Sequence, residues 1–266
     1  MGSAARWVGL GVAAVALASV VGIGVKVYVE MTRPVASTGI GDPAKLWPNG
    51  FTLRACFVDQ ASVSVRQRIA EAAKEWEKWS TLHFDFGNAA DPRMCADDGT
   101  YDVTIGFRDE GSASLIGRDS LHAARPSMNL GHFNDETSAV AHDPREFRRI
   151  VLHEFGHVLG LEHEFQNPLG NCNDKLDWAK VKKYYADHMG WAPEMVEANL
   201  RAINRPFRPP AQRMQVSPFD RLSIMQYALP AYVFEDGVSN PCYSERNYEL
   251  SDEDKRWIGE LYPKPR

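Results

Sequence analysis

The sequence lacks a long basic run, an internal repeat and any closely spaced pair of cysteines. Its 266 residues carry 30 lysines and arginines against 35 acidic residues, which gives a formal net charge of −5. Proteins that bind nucleic acid concentrate basic residues on one surface, so nothing supports a nucleic-acid partner. The length is sufficient for a sizeable core, and a hydrophobic content of 44% is typical of an ordered globular protein.

Charged residues are also absent from the stretch between Trp7 and Val25. At a rise of about 1.5 Å per helical residue, this stretch nearly spans a bilayer. One interpretation is a signal peptide of residues 1–18, cleaved after an Ala-Leu-Ala sequence. The other is a transmembrane anchor within residues 1–26, and the apolar residues beyond the cleavage site favour it. Either interpretation makes the protein secreted or membrane-anchored, with its folded part outside the cytosol.

The most informative segment is residues 153–164, which read HEFGHVLGLEHE. His153 and His157 are four residues apart, so on a helix they share one face and can bind one metal ion. Gly160 can end that helix with a left-handed turn, which would bring His163 to the same ion. Three neutral imidazoles and a water form an open, catalytic type of zinc site rather than a closed structural one.

Two further features separate this pattern from a chance pair of histidines on a solvated helix. Glu154 follows the first ligand directly, where it can take a proton from a zinc-bound water. The sequence Ser-Ile-Met-Gln-Tyr at residues 223–227 adds an independent downstream element. Together with the extended histidine motif, it resembles the methionine turn of the metzincin zinc endopeptidases.

The resemblance to metzincins covers most of residues 47–262 and implies roles for several residues. Met225 would form a hydrophobic floor beneath the zinc, and Tyr227 would be a mobile phenol that contacts zinc or the reacting oxygen. Glu164, directly after the third histidine, is similar to the astacin type. The resemblance also implies an extended peptide substrate that pairs with an edge strand at Ser127–Phe133.

Two departures from the astacin pattern point toward the matrixins. Leu161 stands where astacins usually have phenylalanine, and Gln226 stands where many have histidine. The function predicted from the motifs is that of a zinc endopeptidase with one catalytic Zn²⁺. The alternative is a zinc-containing recognition or adhesion module of the same fold that does not cleave. Glu154 favours the enzyme, because degenerate homologues typically lose this base.

The helix that carries the motif is predicted over residues 144–159. Asp143 is a suitable N-cap, Pro144 suits the first helical position, and Glu146 completes a capping box. Apolar residues then recur at helical spacing as far as Gly160.

The four cysteines, Cys56, Cys95, Cys172 and Cys242, are too widely spaced for a CxxC zinc knuckle. Three disulfide pairings are possible, and four reduced, buried thiols are the alternative. Pairing of Cys56 with Cys95 and of Cys172 with Cys242 is favoured, because each bond would tie neighbouring elements on one side of the zinc helix. Disulfides are consistent with an exported protein.

The remaining patterns predict a linker over residues 27–46 and a catalytic domain over residues 47–266. The fold class is α+β and metzincin-like: a twisted mixed β-sheet with two backing helices above a zinc cleft, then a loop-rich lower half with a C-terminal helix. The predicted strands are Phe51–Val58, His83–Phe86, Asp102–Phe107, Ser114–Gly117 and Ser127–Phe133. The other predicted helices are Val65–Ser80, Trp178–His188, Glu194–Leu200 and one capped by Ser251, and residues 205–215 are predicted to be irregular.

Overall fold

The computed structural model describes residues 40–97, 99–108, 111–122, 125–133, 139–202 and 215–265. These residues belong to one compact unit. The predicted signal peptide or anchor of residues 1–26 lies outside them, as do residues 27–39 of the predicted linker. Within the described ranges, no helix has both the length and the apolar character needed to cross a bilayer.

A five-stranded sheet forms the upper part of the domain. Its strands are β1 Thr52–Phe57, β2 His83–Asp85, β3 Val103–Gly106, β4 Ser112–Ser114 and β5 Met128–Leu130, and their order in the sheet is β2-β1-β3-β5-β4. Four strands are parallel, and β4 runs antiparallel to β5 at one edge. All residues of the central strand β3 are buried, as expected for a parallel strand covered on both faces.

The assignment of the edge strand to Ser127–Phe133 was wrong. Strand β5 within this segment has a hydrogen-bonded strand on each side, and the chain then forms a 3₁₀-helix at Gly131–Phe133. The antiparallel edge strand is β4. It begins two residues earlier in the chain than the predicted strand Ser114–Gly117, and the chain forms another 3₁₀-helix from Gly117 onward. A short apolar segment does not reveal whether its strand is internal or at an edge.

Helices α1 (Val63–Ala73) and α2 (Pro144–Val158) pack against each other. The helix predicted over Val65–Ser80 changes type, because α1 continues as a 3₁₀-helix over Lys74–Lys78. Trp79, which a continuous α-helix would place on the same face as the buried Trp76, is 40% exposed. The tighter 3₁₀ winding rotates later residues away from the buried face.

Helix α2 begins and ends within one residue of its predicted bounds. The Asp143 carboxylate accepts the backbone N–H groups of Arg145 and Glu146, so the predicted N-cap is confirmed. The capping box was wrong, because the Glu146 carboxylate does not return to the cap. It binds Arg149 at 2.8 Å and Arg246 at 2.5 Å instead.

The lower part contains helices α3 (Trp178–Met189) and α4 (Pro193–Leu200), each within one residue of prediction. The C-terminal helix α5 spans Asp252–Leu261. Ser251 and Asp254 form its capping box, and both hydrogen bonds measure 2.9 Å. Although α5 follows the lower part in sequence, its apolar side chains belong to the upper hydrophobic cluster.

Residues 40–46 were assigned to the linker, and this boundary was wrong. Ile40–Gly41 pairs with Gln215–Val216 in a small antiparallel sheet, and Asp42 is 1% exposed. Lys45 forms an ion pair with Asp119 at 2.8 Å. The domain therefore includes residues 40–46. Residues 205–214 of the predicted irregular stretch lie outside the described residues, and Gln215 is in the short strand.

Two hydrophobic clusters form the core, one beneath the sheet and one around α3 and α4. A disulfide joins Cys56 in β1 to Cys95, and a second joins Cys172 to Cys242 within the lower cluster. These are the two pairings that the sequence favoured. Each disulfide therefore fastens one part of the domain internally.

Candidate metal centre

Helix α2 carries the first two candidate ligands on a buried face. His153 and His157 are four residues apart, and their ring centroids lie 4.9 Å from each other. Nδ1 of His153 hydrogen-bonds the Ile224 carbonyl oxygen at 2.9 Å, and Nδ1 of His157 bonds that of Leu161 at 2.7 Å. Because a carbonyl oxygen only accepts, each Nδ1 atom carries the ring proton. Each Nε2 atom therefore presents a lone pair.

The turn after α2 brings the third candidate ligand back to the first two. Gly160 has φ +97°, a conformation that favours glycine. Its N–H donates to the His157 carbonyl at 2.8 Å, and the Leu161 N–H donates to the Gly156 carbonyl at 3.0 Å. These are the two bonds of a Schellman motif, so the predicted left-handed helix end is confirmed. The chain reverses there, and the His163 ring centroid lies 4.6 Å from that of His157.

The three histidines meet in one cluster. One ring nitrogen from each lies within 4.8 Å of the others. The Nε2 atoms of His157 and His163 are 3.0 Å apart, and ligands of a tetrahedral zinc ion are separated by roughly 3.3 Å. Imidazole nitrogens are also among the preferred donors for zinc, so the residues present fit this ion. Among the described residues, no group of three or more side chains that could bind a metal ion includes any of the remaining histidines, which are His83, His122, His132, His142 and His188.

Burial keeps these histidines neutral. It lowers the pKa of His153 to about 3 and that of His157 to about 4. The pKa of His163 also lies well below its ordinary value, because burial and then the two neighbouring imidazoles disfavour its charged form. Neutral imidazole is the form that binds a metal ion.

Glu154 lies beside the first ligand and is 5% exposed. Its Oε2 atom has no hydrogen-bond partner among the described residues. Burial raises the pKa of Glu154 to about 8, while the charge of Arg149 acts in the opposite direction. A buried carboxyl group beside a cluster of potential metal ligands is able to accept and return a proton when one of its oxygen atoms makes no hydrogen bond to the described residues.

The phenol of Tyr227 reaches the same cluster. Its hydroxyl oxygen lies 2.8 Å from Nε2 of His163, and the two ring centroids are 4.5 Å apart. Burial raises the pKa of Tyr227 well above its ordinary value, so the hydroxyl keeps its proton. Tyr227 is therefore a hydrogen-bond donor at the edge of the three-histidine cluster.

The methionine turn packs against α2 where the helix has a glycine. Met225 is 2% exposed, and a Cβ atom built at Gly156 would lie 2.4 Å from its Sδ atom. Only glycine lets the turn approach the helix this closely. Gly156 was not predicted as a site residue, although a glycine inside a helix costs roughly 1 kcal/mol relative to alanine and so indicates a special packing role.

Asp254, which completes the capping box of α5, also holds the methionine turn. Its carboxylate accepts the Ser223 hydroxyl at 2.6 Å and the Ile224 N–H at 2.8 Å. The Ile224 carbonyl in turn accepts the ring proton of His153. The cap of α5 therefore supports the first ligand through the methionine turn.

Glu164 connects the third ligand to the same turn. Its backbone N–H donates to the Met225 carbonyl at 3.0 Å. Its carboxylate accepts the side-chain amide of Asn167 at 2.8 Å and the backbone N–H of Asp220 at 3.0 Å. Burial raises the pKa of Glu164 to about 8.

Part of the chain matches a known protein family and a curated relative. A family model described as matrixin matches residues 51–168. Matrix metalloproteinase-C of Caenorhabditis elegans is 26% identical over 124 residues, which are 42% of this chain and 20% of that protein. The chain therefore spans about a fifth of the length of that curated relative.

Solved structures match over most of the chain. A structure of myroilysin is 31% identical, with a TM-score of 0.70, and the match covers 86% of this chain and 100% of that chain. High choriolytic enzyme 1, a hatching enzyme zinc-protease from the medaka fish Oryzias latipes, is 16% identical. Its TM-score of 0.51, over 82% of this chain and 94% of that chain, supports the fold alone. Because the match covers the whole myroilysin chain at 31% identity, and the matrixin model matches residues 51–168, the chain belongs to the metzincin-type zinc metallopeptidases.

Proposed function

We propose that the protein is a zinc-dependent endopeptidase that cleaves peptide bonds with Glu154 as general base. The observation that carries the proposal is the buried Oε2 atom of Glu154, which no described residue hydrogen-bonds, beside three convergent imidazoles. Zinc held by His153, His157 and His163 would lower the pKa of a water toward 7 and polarise a peptide carbonyl. The likeness to myroilysin and to the matrixin family model supports the same reaction class.

Two side chains would move or hold protons in this mechanism. Glu154 takes a proton from the attacking water and delivers it to the leaving amine. Its Oε2 atom is engaged by no described residue, so proton transfer breaks no protein hydrogen bond there. Tyr227 keeps its phenolic proton and donates it in a hydrogen bond to the carbonyl oxygen, where negative charge develops.

A peptide substrate would bind in an extended conformation along β4. Strand β4 (Ser112–Ser114) pairs with β5 on one side and is the antiparallel edge of the sheet. It also contacts α2, the helix that carries His153 and His157. Backbone hydrogen bonds to a free strand edge give affinity that depends little on side chains. This geometry favours protein substrates over small molecules.

Within the metzincins, the pattern around the third ligand supports an astacin-like subtype. Glu164 accepts two hydrogen bonds beneath the centre, and Tyr227 adjoins His163. Met225 would serve as the floor of the site, and Gly160 would set the position of the third ligand. The matrixin model match and Leu161 keep the matrixins as the alternative subtype.

The two disulfides support a location outside the cytosol, where such bonds persist. Residues 1–26 would either be removed as a signal peptide or hold the catalytic domain at a membrane surface. An N-terminal sequence of the mature protein would distinguish these outcomes.

The test is cleavage of casein by the purified chain, compared with its Glu154→Gln variant. We expect kcat/KM to fall by about 10²–10⁴-fold, the range over which a general base contributes. Zinc content measured by atomic absorption should stay at the wild-type level, because Glu154 is not a ligand. Glu71→Gln, an exposed substitution on α1, is the matched control and should cleave normally.

Two further results bear on the proposal. A chelator should abolish cleavage, and added zinc should restore it. Full activity in a Glu154→Gln preparation would overturn the assigned base. A wild type that binds zinc but cleaves no protein or peptide would point instead to a recognition module of the same fold.

A further inference from the structure

The C-terminal end of α2 is completed by donors from two distant parts of the chain. A helix leaves its last four carbonyl groups unpaired, and the Schellman turn here pairs two of them, those of Gly156 and His157. The carbonyl oxygen of Val158 accepts the indole N–H of Trp47 at 2.7 Å. The carbonyl oxygen of Leu159 accepts the hydroxyl proton of Tyr262 at 2.8 Å. Trp47 and Tyr262 therefore supply the hydrogen bonds that the turn itself does not.

These two donors form one buried unit, which we call the helix-end clamp. The backbone N–H of Trp47 donates to the Tyr262 hydroxyl oxygen at 3.2 Å. The two side chains are 5% and 1% exposed, respectively. The neighbouring Leu46 covers the turn, because a Cβ atom at Gly160 would lie 2.7 Å from its Cδ2 atom. The turn is thus held by side chains on its outer side.

The clamped turn determines where two of the three histidines lie. The Leu161 carbonyl, directly after Gly160, fixes Nδ1 of His157 at 2.7 Å. His163 follows two residues later. A shift of the turn would therefore move the hydrogen-bond acceptor of one ligand and the backbone of the other together. The helix ladder alone fixes neither position.

We propose that Trp47 and Tyr262 are positioning residues for the metal centre. Their indole N–H and phenol O–H hold the carbonyls of Val158 and Leu159, and they thereby orient His157 and His163 toward one ion. The inference rests on the zinc centre of the proposed function, but neither residue touches substrate or the ligand nitrogens. Loss of a direct hydrogen-bond partner of a metal ligand typically costs 10–100-fold in metal affinity, and the Leu161 carbonyl, which lies on the clamped turn, is such a partner of His157.

The test uses the full chain in four forms: wild type, Trp47→Phe, Tyr262→Phe and Val65→Ala. Both aromatic variants keep a ring in the core and lose one hydrogen-bond donor. Val65 is 3% exposed, lies on α1 and packs in the same hydrophobic cluster, so its truncation lowers stability without touching the turn. It is the control for a purely structural effect.

Zinc affinity is measured by competition with a chromogenic chelator, and Co²⁺-substituted protein reports ligand geometry through its visible absorption. We expect Trp47→Phe and Tyr262→Phe to lose about tenfold or more in zinc affinity and to change the Co²⁺ spectrum. In casein or peptide assays kcat should fall while KM stays within about twofold. Val65→Ala should lower the melting temperature and leave zinc affinity and the Co²⁺ spectrum unchanged.

Wild-type zinc affinity and an unaltered Co²⁺ spectrum in Tyr262→Phe would overturn the inference. This variant removes a single oxygen atom, so it decides the question even if Trp47→Phe does not fold. A wild type that binds zinc without cleaving protein would overturn the proposed function only, because zinc affinity still measures the clamp. A wild type that binds no divalent ion would overturn both.

Discussion

Replacing Gly160 with alanine should damage both folding and metal binding, for reasons that the structure separates. Gly160 has φ +97°, and an L-residue in the left-handed region costs roughly 1–2 kcal/mol. The added Cβ atom would lie 2.7 Å from Cδ2 of Leu46, closer than ordinary van der Waals contact. Turning that flexible side chain away from its preferred rotamer adds roughly 1 kcal/mol. The expected loss of unfolding free energy is therefore about 2–3 kcal/mol.

Gly190 provides the matched control. It ends α3 with φ +65°, and a Cβ atom built there meets no atom within 4 Å. Gly190→Ala therefore has the conformational cost alone, about 1–2 kcal/mol, at the end of a helix that carries none of His153, His157 and His163. The difference between the two variants isolates the contact with Leu46.

Urea unfolding of the zinc-free proteins measures the folding cost, and chelator competition measures zinc affinity. Gly160→Ala should lose at least about tenfold in zinc affinity, because the turn positions His163 and the carbonyl that fixes His157. Gly190→Ala should bind zinc as the wild type does. Equal zinc affinity in Gly160→Ala and wild type would refute the view that this turn sets the ligand geometry.

Three further predictions follow from other parts of the structure. Burial raises the pKa of Asp254 from 3.8 to about 6, so its stabilising contribution is fully present below about pH 4 and is lost as the pH rises through 6. Relative to the Asp254→Asn variant, the wild type should therefore lose about 3 kcal/mol of unfolding free energy between pH 4 and pH 7. Denaturant titrations measure this, and a difference between the two proteins that does not change with pH would contradict it. Replacing both Cys172 and Cys242 with alanine opens a link across 70 residues, which should lower the unfolding free energy by about 4 kcal/mol, and a loss below 1 kcal/mol would show that the unfolded chain gains little freedom. Zinc at a hundredfold excess over its dissociation constant should stabilise the folded protein by about 2.7 kcal/mol, and a melting temperature independent of zinc would exclude a preformed site.

The metal centre was predictable from the sequence because its geometry is local. His153 and His157 share a helix face through the helical period, and Gly160 returns the chain within six residues. The capping residue Asp143 and the close packing of apolar positions delimit the same helix. These inferences need no knowledge of contacts between distant segments.

What the sequence did not reveal depends on contacts between distant segments. The contact between Gly156 and Met225 and the link from Asp254 to Ile224 join α2, the methionine turn and α5. The edge position of β4 depends on strand order, which a three-residue pattern does not encode. Residues 40–46 look like a linker in composition, but they pair and pack on the domain once Gln215–Val216 is present.

The helix-end clamp also has a consequence for when the protein can acquire its metal. Trp47 precedes the histidine motif by more than 100 residues, and Tyr262 follows it by nearly as many. During translation the three histidines leave the ribosome long before Tyr262 has been synthesised. A nascent chain therefore presents the ligands without their outer support, and ions captured at that stage exchange readily. We expect tight metal loading to be a late event that follows docking of the C-terminal helix, in whichever compartment that docking occurs.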